Sequence, residues 1–395
     1  MELLSSKFVF DGEELLSNKA IVIHNNTVKD ISSKKVLEKV YSLKVKDFGE
    51  GVLLPGFVNL HTHLELSYLK NKLPQKKGFV EWLSSIMYEK TKDVDNKEIA
   101  KNIENAVETQ FKSGVRIIAD ISNTLASCEY LKKYMPYSTI FFEQYGLNKE
   151  KACKIKKNLE EKLNNYKKMC GQLKLIPTAH SLYSTHSCLI EYLIGLSKQE
   201  PFSIHFLESS FEKDFLISRG DMFDFLNSLG LVEETIHYPD VFDYIKKLGI
   251  SRRKTIFVHC TYADKNELEN IKRTDSTVCL CLRSNKYISE ELPDIHSIIK
   301  SGVNIGVGTD SLASNWDLDF INELKFIYGN FSDINPNAIF KWATTNGAKA
   351  LGLNLGFKKD QTAFAVFLPS SDNNPLEEIL SQRRGISNLR RLNID

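Results

Sequence analysis

The chain has 395 residues, with 52 Lys and Arg against 50 Asp and Glu, a formal net charge of +2, and 42% hydrophobic residues. That length can bury a sizeable core in one large domain or two smaller ones, and the near-balanced charge excludes a global basic field for nucleic acid. No apolar run reaches the roughly 18 residues of a membrane span. "MELLSSKFVFDGEELL" has no basic segment followed by an apolar one, and the seven cysteines form no C-x-x-C pair; the reading is a cytoplasmic protein with reduced thiols and no leader.

Along the first fifty residues, "FVFDG", "KAIVIHNNTVKDI" and "YSLKVKDFG" are short apolar runs separated by turn residues, the pattern of hairpins. "GFKKDQTAFAVFLP", near the end, repeats it. Residues 1–53 and 356–395 are therefore expected to meet in one small β-sandwich domain. Between them, residues 54–355 alternate short apolar runs with helical stretches. Eight strands are predicted: Val58–His61, Val115–Asp120, Thr139–Glu143, Leu173–Ala179, Ser203–Phe206, Thr255–His259, Thr277–Leu282 and Asn304–Thr309. A helix is predicted over Lys101–Ser113, where Ile103, Ala106, Val107 and Phe111 fall at helical spacing and Gly114 follows as a cap. The lysine-rich run from Lys151 to Lys168 reads as a solvated helix face. Ser209–Gly249 is long for a connection and is expected to carry helices of its own. Eight βα units in about 300 residues fit an α/β fold, a (β/α)8 TIM barrel. The rival, a doubly wound sheet, would carry a phosphate-binding G-x-G-x-x-G after an early strand, and none is present.

"VNLHTHLELS" places His61 and His63 at the end of the first predicted strand. Residues i and i+2 of a strand share a face, so both imidazoles could hold one ion. Alone the pair is also compatible with chance. Other predicted strand ends add His180, His205 with Glu208, His259 and Asp310, and catalytic groups of such barrels gather at the C-terminal strand ends.

In combination, "PGFVNLHTHLE", "HFLESSFE", "VHC", "CLRSN" and "GTDSLASN" resemble the signature blocks of the amidohydrolase superfamily, and within it the cytosine-deaminase-like and chlorohydrolase branch. The resemblance implies that His61, His63, His205 and Asp310 hold one divalent metal ion, Zn2+ or Fe2+. "TAHSLYS" at the fourth strand lacks the lysine that bridges two metals, which favours a mononuclear site. It further implies that metal-bound hydroxide attacks an amino-bearing ring carbon. Glu208 would move the proton from that water to a ring nitrogen, His259 would steady the attacking oxygen, and Asp310 would pass a proton to the leaving ammonia. The P-C-x-x-C signature of the unrelated zinc deaminases is absent. Cys260, Cys279 and Cys281 are unlikely ligands; Cys279 and Cys281 would share a strand face and pack as small hydrophobes.

Substrate contacts are expected from Glu65, Trp82, His180, Tyr183, Arg283, Ser284 and Asn285. Arg283 could fork onto a carboxylate or form a surface ion pair, and Trp82 could stack on a base or pack in the core. "HTHLELS" followed by "GFVEWL" looks most like the aminofutalosine deaminases. That implies hydrolysis of the 6-amino group of 6-aminodeoxyfutalosine, an adenine nucleoside carrying a carboxyphenyl group, in menaquinone biosynthesis. The alternatives are a deaminase of adenosine, methylthioadenosine, guanine or cytosine, a triazine-type chlorohydrolase, and last a metal-free scaffold. The partners expected are a small-molecule substrate, no nucleic acid and no membrane, with a homodimer left open.

Overall fold

A computed structural model describes residues 1–233 and 236–381; the part of the expected terminal domain beyond 381 lies outside them. The chain divides into two compact units. The first comprises residues 1–59, 109–117 and 319 onward; the second comprises residues 60–108 and 118–318.

The first unit contains two four-stranded sheets. In one, Thr27–Ser32, Ala20–His24, Glu2–Ser5 and Val45–Asp47 lie side by side in that order; in the other the order is Ala365–Pro369, Gly51–Pro55, Phe8–Phe10 and Leu15–Ser17. The alternation in "AIVIH" explains how the first sheet is buried. Ile21 and Ile23 join a cluster with Val9, Leu53 and Phe367 of the second sheet, while Ala20 and Val22 pack with Leu37 on the helix Lys34–Tyr41. Opposite faces of one strand therefore enter two apolar layers. Ala20–His24 and Thr27–Ser32 pair antiparallel, with His24 opposite Thr27. The two residues between them, Asn25 and Asn26, have φ of 49° and 55°. Two successive left-handed residues make the tight turn that matches strand twist, and asparagine tolerates that region.

In the second unit the eight strands predicted for the middle of the chain are present, in two sheets that follow chain order. Phe57–Thr62, Val115–Ser122, Thr139–Gln144 and Lys174–Ala179 are the first to fourth; Phe202–Phe206, Thr255–His259, Thr277–Leu280 and Asn304–Val307 are the fifth to eighth. The first two strands begin within the first unit and end in the second. The third and fourth pair in parallel, as do the successive strands from fifth to eighth. Most strand residues are buried whichever way they point, which is why the strands read as continuous apolar runs. Main-chain bonds also link the two sheets. His205 N–H donates to the His180 carbonyl at 2.9 Å, and the N–H groups of Thr309 and Asp310 donate to the His61 carbonyl at 3.0 Å.

The predicted helix at 101–113 is Asn96–Lys112, with Gly114 at φ 98° beyond its end. The long connection after the fifth strand carries the helices Phe211–Phe215, Asp221–Ser228 and Val241–Leu248. The seventh strand stops at Leu280, because Leu282–Ile288 is a helix with Cys281 at its cap. Cys281 thus does not share a strand face with Cys279, although both are buried. The expectation of seven reduced thiols is also corrected. Cys128 and Cys170 are joined in a disulfide, their Cα atoms 5.6 Å apart and 42 residues apart in sequence. It links the helices Cys128–Tyr134 and Lys149–Cys170, a proximity that sequence spacing does not reveal. Among the described residues no helix is long and apolar enough to cross a membrane.

The Asn25–Asn26 turn gives a test. Asn26→Val forces a β-branched side chain into the left-handed region at a cost of about 1–2 kcal/mol. The urea midpoint of the first unit is expected to fall accordingly; an unchanged midpoint would remove the turn from the determinants of that sheet.

Candidate active site

The first strand ends by placing His61 and His63 on one face, their ring centres 4.9 Å apart. The fifth delivers His205, whose ring lies 4.8 Å from that of His61 and 5.3 Å from that of His63. His205 Nδ1 lies 2.9 Å from the His180 carbonyl. Donating there, it leaves Nε2 as the lone-pair nitrogen. That Nε2 is 3.3 Å from His63 Nε2. Asp310 Oδ1 lies 3.6 Å from both His61 Nε2 and His63 Nε2. Ligands about 2.1 Å from one ion sit about 3.4 Å apart at tetrahedral angles, so these separations fit a single divalent cation. Burial pushes the His63 and His205 pKa values well down, and neutral imidazoles are the ligating form. Burial pushes the Asp310 carboxyl up, but bonding to His61 and the charges of His63, His61 and His259 outweigh it and hold the group well below the usual carboxylate range.

Around these four donors stand the groups that hold them. Ser284 and Ser314 hydroxyls both donate to Asp310 Oδ2 at 2.6 Å, leaving Oδ1 to face the imidazoles. His259 Nε2 is 3.5 Å from Glu208 Oε1, and burial draws the His259 pKa down to about 4. Burial, and then the charges of Asp310 and Glu212, push the Glu208 carboxyl well up. Leu207, His259, Cys260 and Asp310 all have positive φ, between 48° and 71°. Left-handed non-glycine residues cost of order 1–3 kcal/mol each and cluster where a site over-determines them; here they lie at the ends of the fifth, sixth and eighth strands and re-aim the chain toward the cluster.

The cluster opens into a cavity of about 310 Å³, within the range of small-molecule sites. Its lining includes His63, His205, Glu208 and Asp310, together with Trp82, His180 and Tyr183. Its apolar wall is Leu66, Leu83, Ile86, Met87, Leu226 and Leu231. His180 stacks on His205 with ring centres 4.5 Å apart and is held by Ser184 Oγ at 2.8 Å. Trp82 lines the cavity while its Nε1 donates to the Ala313 carbonyl at 3.0 Å.

Four of the expected substrate contacts stand elsewhere. Glu65 accepts from the Ser122 hydroxyl, the Thr124 hydroxyl at 2.7 Å and the N–H groups of Asn123 and Ala126 at 2.9 and 3.2 Å. Its carboxylate thus ties the loop after the first strand to the loop after the second. Arg283 is buried and forks onto Asp317, at 2.9 and 2.7 Å, so the fork expected for a substrate carboxylate is occupied from within the chain. Ser284 holds Asp310. Asn285 donates to Thr261 Oγ1 at 2.8 Å. None of these four lines the cavity.

The sequence reading missed three buried acids. Glu143, at the end of the third strand, lines the cavity with Oε1 3.9 Å from His205 Nδ1, and the strand-end rule could have found it. Glu212 accepts from the N–H groups of Leu207, Glu208 and Ser209 at 2.9, 2.7 and 3.2 Å and shapes the turn carrying Glu208. Asp120 accepts from Leu64 N–H at 3.0 Å and from the Ser127 hydroxyl, fixing the residue beside His63.

Parallel strands that deliver three histidines, an aspartate and a buried glutamate to one end of a cavity define a class: hydrolytic enzymes that carry a divalent ion at their strand ends. The chain belongs to the amidohydrolase family, which it matches over residues 52–164 and 224–381, and is a hydrolase of the kind that cleaves C–N bonds. It is 31% identical over 378 residues to an adenosine deaminase of Helicobacter pylori, covering 90% of this chain and 88% of that one. It is 25% identical over 392 residues to an aminodeoxyfutalosine deaminase of Nitratiruptor, covering 95% and 93%. In structure it is similar to Helicobacter pylori aminofutalosine deaminase in complex with methylthio-coformycin, with a TM-score of 0.87, 28% identity, and 96% and 95% of the two chains covered.

The buried Asp120 sets a pH signature. Burial raises its carboxyl to about 8 against the hydrogen bonds from Ser127 and Leu64. The folded chain therefore holds a proton that the unfolded chain releases near pH 4, so this group's contribution to stability is lost as pH rises through about 8. Asp120→Asn removes that loss. The Tm of the variant relative to the parent is expected to be higher at pH 8.5 than at pH 6 (about two pH units below the shifted value), and an equal difference at both would contradict the assignment.

Proposed function

We propose that the protein is a hydrolytic deaminase of adenosine-type nucleosides, acting on 6-aminodeoxyfutalosine in menaquinone biosynthesis. The observation that carries the chemistry is the donor cluster of His61, His63, His205 and Asp310 beside the Glu208–His259 pair, all buried at the end of one cavity. The named activities of the relatives support the substrate class. The extended apolar wall supports a nucleoside with a sizeable 5′ substituent over free guanine or cytosine, and over adenosine itself. A triazine-type chlorohydrolase would use the same attack by water; the solved triazine hydrolases share the fold at about 15% identity, which argues nothing about this chain's leaving group.

His61, His63, His205 and Asp310 would hold one Zn2+ or Fe2+ ion, which when bound lowers the pKa of a ligated water toward about 7. The remaining work falls to the chain's own groups. Glu208 takes one proton from the attacking water and delivers it to ring nitrogen N1, which makes C6 electrophilic. His259, its Nε2 3.5 Å from Glu208 Oε1, steadies the oxygen that adds to C6. Asp310, fixed by two serine hydroxyls, takes the proton from that oxygen and passes it to the departing amine. Adenine and water thus become hypoxanthine and ammonia. His180 and Tyr183 border the bound base, and Trp82 closes its outer side.

In this reading residues 54–355 form a closed (β/α)8 barrel and residues 1–53 and 356–395 a small β-sandwich. The enzyme is cytoplasmic and takes no nucleic acid or membrane partner; a homodimer is compatible with it.

His61→Ala and Asp310→Asn are expected to abolish both metal content and ammonia release. Glu208→Gln should keep the metal and lose about 10²–10⁴-fold in kcat; near-full turnover would show that Glu208 is not the acid–base group. Ammonia release from aminodeoxyfutalosine, adenosine, methylthioadenosine, guanine and cytosine tests the substrate. The first should show the highest kcat/KM, and turnover confined to guanine or cytosine would overturn the nucleoside assignment.

A further inference from the structure

With Arg283 committed to Asp317, a substrate carboxylate needs a different cation. The cavity lining supplies two. Lys90 follows the helix Phe79–Glu89, and Lys151 lies in the first turn of the helix Lys149–Cys170. Both line the cavity, as does Tyr145 between them. Lys151 Nζ is 4.7 Å and Lys90 Nζ 5.7 Å from the Tyr145 ring centre. The Tyr145 ring is 6.3 Å from that of His180, which stacks on His205. A continuous row of groups therefore runs from the two ammoniums to the metal-type donors.

The neighbouring lysines show what is unusual. Lys92 pairs with Glu89 at 2.6 Å and Lys154 with Glu150 at 2.6 Å. Glu233, the acid beside this helix end, is bound to Asn148 Nδ2 and Lys149 N–H. Among the described residues neither Lys90 nor Lys151 is in an ion pair, and both ammoniums lie against the Tyr145 ring. Of the lysine run read from the sequence as a solvated face, Lys151 is exposed yet borders the cavity.

We propose that Lys90, Lys151 and Tyr145 form the subsite for a carboxylate at the far end of the substrate's 5′ substituent. The substrate is then an adenine nucleoside with a charged outer end. Its base sits at the donor cluster, its spacer lies along Leu66, Ile86, Met87, Leu226 and Leu231, and its terminal ring or chain rests on Tyr145. Lysine supplies a mobile point charge in place of a rigid fork, so the subsite selects for charge more than for one carboxylate geometry. The proposal rests on the nucleoside deaminase reading.

The test compares kcat/KM for aminodeoxyfutalosine and for its methyl ester, in the parent and in Lys90→Met, Lys151→Met and the double variant. Both lysines are exposed, so folding is not at risk. The parent should prefer the free acid, with a KM that rises with ionic strength. In the double variant that preference should fall by about tenfold or more, through KM, and the salt dependence should flatten; Lys151→Arg should retain both. A preference unchanged within about twofold in the double variant, with its salt dependence intact, would overturn the subsite while leaving the deaminase reading in place. Absence of turnover on every adenine nucleoside by the metal-loaded parent would defeat that reading and the subsite with it.

Discussion

In the second unit His63 Nε2 lies 3.3 Å from His205 Nε2, and Asp310 Oδ1 lies 3.6 Å from both His61 Nε2 and His63 Nε2. The carboxylate attracts the rings, but burial disfavours charging the histidines, so neutral imidazole nitrogens crowd together beside it. A divalent ion resolves the conflict, because it lets all four donors point inward at once. Much else around the site serves that convergence. Ser284 and Ser314 turn Asp310, the His180 carbonyl sets the His205 tautomer, and Asp120 and Glu65 pin the loop on which His63 stands. The left-handed residues at three strand ends are the conformational cost of the same arrangement.

The site divides chemically along its length. Its inner end is polar and fixed by strands and buried hydrogen bonds. Its outer wall comes from helices and connections: Trp82, Leu83, Ile86 and Met87 on the helix after the first strand, and Leu226 and Leu231 in and beyond Asp221–Ser228. In the proposed reading the first sets the reaction type and the second the choice of substrate. This separation explains how chains similar over nine-tenths of their length carry names that differ in the nucleoside while sharing the deamination.

The inner end was legible in the sequence and the outer end was not, for a physical reason. His61 and His63 declare themselves by a two-residue spacing on a strand, and His205, His259 and Asp310 by falling at strand ends. These are local signals, and the observed strands match the predicted ones to within a few residues. Glu65 follows the first strand and Arg283, Ser284 and Asn285 follow the seventh, and that placement after strand ends made them expected substrate contacts. In the fold, each satisfies a polar partner within the chain instead. Arg283 finds Asp317, 34 residues on, and no periodicity announces such a pair. The Cys128–Cys170 link and the approach of Lys90 to Tyr145 are likewise products of helix packing. Glu143 was within reach of the strand-end rule. The positive φ values of His259 and Asp310 were not, since neither residue type signals them.

The most direct measurement of the central claim is the metal content of the purified protein by elemental analysis, with the tightly bound fraction resolved by titration with a chelator. About one Zn2+ or Fe2+ per chain, competing out only with strong chelators, is the predicted result. A chain that purifies without a divalent ion and takes none up from solution would contradict it, and the converging histidines would then need another explanation.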